Sequence, residues 1–91
     1  MPYQIIYPDS YIKRAKKFLR KHPEVHNQYR KTLELLELDP YHPSLRLHGL
    51  EGRLKGLSSV SINMSYRIML ELEIRDEEII LINVGDHDHV Y

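Results

Sequence analysis

The stretch that most constrains this chain is its last third. From Tyr66 it reads YRIMLELEI, then the charged RDEE, then IILINV and a polar ending, GDHDHVY. Tyr66, Ile68, Leu70, Leu72 and Ile74 alternate with Arg67, Met69, Glu71 and Glu73, the period-two pattern of a strand with one buried face. Ile79–Val84 is almost wholly apolar and suits a strand covered on both faces. Residues 75–78 turn the chain between the two. A strand pair of this kind cannot stand alone in water, so the rest of the chain must cover it.

The preceding residues supply the cover. Tyr3–Tyr7 is a short strand stopped by Pro8, able to pair beside the last strand. Asp9 and Ser10 offer N-cap oxygens to a helix whose apolar positions are Tyr11, Ala15, Phe18 and Leu19. His22-Pro23 breaks it, and a second helix is expected from Pro23 to about Leu38, with Val25, Tyr29, Leu33, Leu35, Leu36 and Leu38 in its stripe. Asp39-Pro40-Tyr41-His42-Pro43 ends that helix. Residues 44–56 read as a glycine-containing link, and Leu57–Ile62 as a further strand before the Asn63-Met64-Ser65 connection. The expectation is a single domain over residues 1–91 of the α+β class. Two N-terminal helices pack on a twisted, mainly antiparallel sheet of about four strands.

The composition excludes several chemistries. With no cysteine there is no disulfide framework, thiol nucleophile or Cys-based zinc site. No apolar run approaches the roughly 20 residues needed to cross a bilayer. The first residues lack the pattern of a signal peptide, which predicts a soluble, cytoplasmic protein without a membrane partner. Formal net charge is zero, but residues 1–44 hold eight Lys/Arg against five Asp/Glu, whereas residues 45–91 hold five against eight. The basic excess lies in KRAKKFLRK, Lys13–Lys21, either a solvated helix face or a patch that meets phosphate.

The polar ending concentrates titratable groups. His87 and His89 alternate about Asp88, and in an extended chain both imidazoles would share a face. With Asp86 and a third ligand such as His48 they would suit a metal, but HxH spacing alone is a weak signal. Acid–base chemistry is the other reading. RNA cleavage by its own 2′-hydroxyl needs a base, an acid for the leaving 5′-oxygen, and a cation for the phosphorane. His87, His48, Arg67, Arg53 and Lys55 are the available groups, and Tyr91 could bond phosphate or stack on a base. Arg67 interrupts an apolar strand, either to serve such a site or to pair with Glu71 or Glu73. Tyr66 reads as core, and His22, His26 and His42 are assigned no role.

The order and spacing of HGLEGRLKGL at His48–Leu57, YRI at Tyr66–Ile68 and VGDHDHVY at Val84–Tyr91 resemble the RelE/ParE superfamily of bacterial toxins, over nearly the whole chain. Within it the chain looks most like the RelE-like and YafQ-like plasmid-stabilisation proteins. The resemblance implies a ribosome-dependent endoribonuclease that cuts mRNA without a cofactor and is neutralised by a cognate antitoxin. It carries proton transfer onto His87, a terminal aromatic role onto Tyr91, a histidine before the glycine-rich segment onto His48, and phosphate stabilisation onto Arg67. Arg53, Lys55, Lys13 and Lys17 are the expected RNA-facing cations. The match is partial. YafQ-like enzymes use a histidine and an aspartate where this chain has Ser61 and Ser65, and RelE-like enzymes use lysines where it has Ser58 and Val60. DNA gyrase inhibition in the manner of ParE toxins, or a weakened toxin kept as an antitoxin-binding protein, are therefore the alternatives.

Overall fold

A computed structural model describes residues 3–86. The chain runs β1 (Gln4–Ile6), α1 (Asp9–Lys21), α2 (His26–Leu38), β2 (His48–Gly49), β3 (Ser58–Ser61), β4 (Tyr66–Glu73) and β5 (Glu78–Asp86). The strands form one sheet in the order β1-β5-β4-β3-β2. Only β1 and β5 run parallel; every other pair is antiparallel. The fifth strand beyond the expected four is β2, two residues long within the stretch read as a link. Two residues leave no alternation to read.

The first helix starts earlier than its apolar pattern suggests. Asp9 and Ser10 already lie in its first turn, and the N-cap is Pro8, without a side-chain cap bond. Asp9 at the N-terminus and Arg20 and Lys21 at the C-terminus complement the helix dipole instead. Tyr11, Ala15 and Phe18 form its buried face. Pro23–Val25 is a separate 3-10 turn before α2, so the second helix begins at His26 rather than Pro23. Tyr29, Thr32 and Leu36 are buried, but Leu38 is 71% exposed. Two residues beyond Leu36, it sits about 200° round the helix from the core.

The helices cover one face of the sheet, where Tyr11, Phe18, Tyr29 and Leu36 meet Val60, Ile68, Leu70, Ile79 and Leu81. Each large side chain buried there contributes roughly 1.5–3 kcal/mol. The other face is open except at its middle, where Leu50, Leu54 and Leu57 pack on Met69 and Ile82. The β4–β5 ladder slips between Met69 and Leu70, so that Ile82 is an extra residue on β5. The bulge moves the inward positions of β5 from Ile79 and Leu81 to Val84 and Asp86, matching Leu72, Leu70, Ile68 and Tyr66 across the ladder. Arg14 Nη1 donates to the Ile82 carbonyl at 3.0 Å and so satisfies the strand at its irregularity.

Candidate phosphate site on the open face

Arg67 stands near the start of β4 and opposite Ser61 on β3 and Gly85 on β5. Because Ile68 faces the helices, Arg67 faces the open side. Its Nε–H donates to the hydroxyl of Ser59 at 2.5 Å. Nη2 donates to the Arg46 carbonyl at 3.1 Å and lies 3.2 Å from His48 Nδ1, with a longer approach to the Ser59 carbonyl at 3.4 Å. The Arg46 carbonyl reaches it because Arg46 is left-handed, with φ 51°, at the end of the Pro43–Leu45 turn. Its acceptors are all uncharged. No carboxylate pairs with Arg67 among the described residues, and Glu71 and Glu73, the partners the sequence offered, lie farther along β4. Nη1 makes no hydrogen bond among the described residues.

His48 enters the site from β2, in register with Ser59. Its Nδ1 lies 3.2 Å from Arg67 Nη2 and 3.3 Å from the Arg46 carbonyl. These contacts require different tautomers. If Nδ1 accepts from Arg67, Nε2 carries the proton and can only donate. If Nδ1–H donates to Arg46, Nε2 has a lone pair and can take a proton. The tautomer that His48 adopts thus decides whether Nε2 offers a proton or a lone pair.

Of the expected residues, the structure brings Arg67 and His48 together. His87 and Tyr91, like His89 and Asp88, lie outside the described residues; β5 delivers the chain to them at Asp86, paired with Tyr66 beside Arg67. Arg53 and Lys55 are exposed on either side of Leu54, on the loop over the middle of the open face. Gly52 and Gly56, at φ 66° and 99°, permit that loop's two sharp turns. Lys13 and Lys17 are exposed on α1; Lys17 lines a groove between α1 and the end of β5, and Lys13 does not. Ser61 shares the open face with Arg67, but its hydroxyl donates to the Asn63 carbonyl at 2.7 Å. Ser65 sits in the turn, its N–H bonded to Asn63 Oδ1 at 2.8 Å. Among the described residues no group of three histidine or acidic side chains stands close enough to hold a metal ion. No helix there is long and apolar enough to cross a membrane.

Sequence reasoning missed Ser59 and Arg46. Ser59 is fully buried on a serine-rich strand, and its period-two relation to Ser61 was the available signal. Arg46 acts through its carbonyl, which no side-chain pattern reveals.

A helix pair covers one side of the mixed sheet, and Arg67, paired with no carboxylate among the described residues, lies on the other. No protein-family model matches the chain, and no curated protein does. Solved structures do. YafQ in the E. coli DinJ-YafQ toxin-antitoxin complex aligns at TM-score 0.78 and 19% identity, over 100% of this chain and 99% of that one. HP0894 from Helicobacter pylori aligns at TM-score 0.73 and 26% identity, over 97% of each. The YoeB/ParE toxin from Agrobacterium tumefaciens aligns at TM-score 0.74 and 13% identity, over 92% of this chain and 98% of that one. The chain shares the fold of these solved structures, proteins of toxin–antitoxin pairs among them.

Proposed function

We propose that this chain is the toxin of a type II toxin–antitoxin pair and that it cleaves mRNA on the ribosome. The observation that carries the reading is Arg67. A guanidinium held by uncharged oxygen acceptors and beside His48, with Nη1 making no hydrogen bond among the described residues, is suited to a phosphodiester. In the proposed reaction the 2′-oxygen attacks phosphorus as its proton passes to a base. The bond from phosphorus to the 5′-oxygen breaks, and an acid protonates that oxygen. The products are a 2′,3′-cyclic phosphate and a 5′-hydroxyl. Arg67 offsets the charge gathered on the phosphorane. His48 and His87 divide the proton transfers, and Tyr91 contacts phosphate or a base. Arg53 and Lys55 face the flanking RNA. The partner is a cognate antitoxin, as the toxin–antitoxin complexes among the structural relatives suggest.

The test is cleavage of a defined mRNA on translating ribosomes. Wild-type protein should give discrete fragments with cyclic-phosphate ends, and Arg67→Ala and His87→Ala should each reduce them by about a hundredfold or more. Identical fragments from His87→Ala would remove His87 from the mechanism. Absence of wild-type cleavage together with loss of DNA gyrase supercoiling would replace the nuclease reading with gyrase inhibition.

A further inference from the structure

A second feature lies behind the open face, on the helix side of the same strand pair. An open groove of about 320 Å³ runs between α1 and the end of β5. Arg14, Lys17 and Lys21 line one wall, spaced three and four residues apart and so on one helix stripe. His22, Tyr66 and the strand end at 83–86 complete it, with Phe18 at its base. Neither Lys17 nor Lys21 forms an ion pair among the described residues, and Arg14 spends one nitrogen on the Ile82 carbonyl. The carboxylate on the groove is Asp86. In a chain of zero net charge this gathering of cations is local, not a reflection of overall basicity.

The groove also holds an aromatic cluster. The His22 ring lies 4.9 Å from Phe18 and 4.8 Å from Tyr66, and Phe18 meets Tyr66 edge-on at 5.1 Å. His22 Nδ1 meets the Tyr66 hydroxyl at 3.1 Å and Glu24 at 3.5 Å. Both contacts use Nδ1, and Nε2 makes no hydrogen bond among the described residues. Tyr66 is only partly buried, and the side chain of His22 is 30% exposed. Cations and partly exposed rings lining one groove match the chemistry of a nucleotide, whose phosphate takes the first and whose base stacks on the second.

We propose that this groove is a subsite for single-stranded RNA, distinct from the Arg67 site. Lys17 and Lys21 take phosphate there, and the His22–Tyr66 pair takes a base. Tyr66 and Arg67 are successive residues on opposite faces of β4, so one strand of RNA rounding the end of the sheet would meet both. The inference rests on the reading of RNA as substrate. An acidic peptide is the rival occupant, since β5 has no strand partner on its outer edge beyond Ile80 among the described residues.

The experiment measures binding of a fluorescent single-stranded RNA decamer by anisotropy, in the Arg67→Ala background, over a range of salt. Arg67→Ala protein should still bind the decamer. Adding Lys17→Glu and Lys21→Glu should weaken binding by about tenfold or more and flatten the salt slope by about 1.4, two single-strand phosphate contacts. Both lysines are exposed, and circular dichroism checks that the variant folds. The His22 ring resonances should shift on titration with the decamer. Unchanged affinity in the Lys17/Lys21 variant, or an acidic decapeptide bound at these residues in preference to RNA, would overturn the proposal. Absence of cleavage by the wild-type protein on ribosomes would instead sink the nuclease reading and leave the groove to be judged by the binding data.

Discussion

At the residue scale the position of Arg67 depends on a buried hydroxyl and a backbone carbonyl. Ser59 is fully buried, and its hydroxyl fixes Arg67 through Nε, the nitrogen that sets the plane of the guanidinium. Ser59→Ala should leave the fold intact, as shown by circular dichroism, and lower kcat for cleavage by about tenfold to a hundredfold through misplacement of Arg67. An unchanged kcat would mean that Arg46 and His48 orient the guanidinium unaided. A second buried pair governs stability. The hydroxyls of Tyr11 and Tyr29 meet at 2.6 Å inside the core. Burial first, and then the neighbouring Tyr29, push the Tyr11 hydroxyl far above its ordinary value of 10.0; burial raises Tyr29 as well. Tyr11→Phe should cost about 1–2 kcal/mol by stranding the Tyr29 hydroxyl, and Tyr11→Phe/Tyr29→Phe less than the sum of the two single changes. The sign of the pH dependence follows from the raised values. The folded state keeps these protons where the unfolded chain loses them, so the stabilisation is complete below about pH 10 and fades as pH rises beyond it. Urea melts at about pH 8 and about pH 11 should show that loss in the wild type and a smaller one in the doubly substituted protein.

At the scale of elements, β4 has two ends of opposite character. Arg67 occupies one; Glu71 and Glu73 occupy the other, with Glu73 paired across the ladder to Glu78. A hydrogen bond to Glu71 and the charge of that same neighbour raise the Glu73 carboxyl above its usual range. A raised carboxyl favours the folded state while protonated, so this pair supports the fold in acid and works against it as pH rises through the Glu73 titration. Glu71→Gln should therefore raise Tm at neutral pH, with the gain shrinking toward about pH 4. A gain of equal size at both pH values would assign it to something other than charge. The same strand shows what could be read in advance. Its alternation identified β4 and its buried face, because period two over eight residues has no competing explanation. The bulge at Ile82 was hidden, since an unbroken run of apolar side chains looks the same with or without an extra residue. The N-cap expected from Asp9 and Ser10 failed for a related reason. Pro8 already supplies an extended φ/ψ as N-cap, so the helix begins at Asp9. Arg67 was legible as a polar residue in an apolar strand, but the left-handed Arg46 that helps to hold it was not.

At the scale of the whole molecule, a net charge of zero gives no overall attraction to the RNA proposed as substrate. The arrangement of the charge removes the difficulty. Lys13, Arg14, Lys16, Lys17, Arg20 and Lys21 crowd onto α1, while Glu71, Glu73, Asp76, Glu77 and Glu78 gather at the far end of β4 and β5. A molecule so polarised is oriented by an anionic target even when its total charge attracts nothing. The consequence separates local from overall electrostatics. Lys17→Glu and Lys31→Glu each replace one positive charge with one negative, so both take the net charge from zero to −2. Both side chains are exposed, on α1 and α2 respectively, and Lys17 alone of the two lines the groove beside Tyr66. If position governs encounter, Lys17→Glu should lower the second-order rate of mRNA cleavage by about tenfold at low salt and Lys31→Glu by less than about twofold. The gap between them should close as added salt shortens the screening length to about 3 Å near 1 M. Equal losses at both positions would mean that total charge, rather than the α1 face, brings the protein to its target.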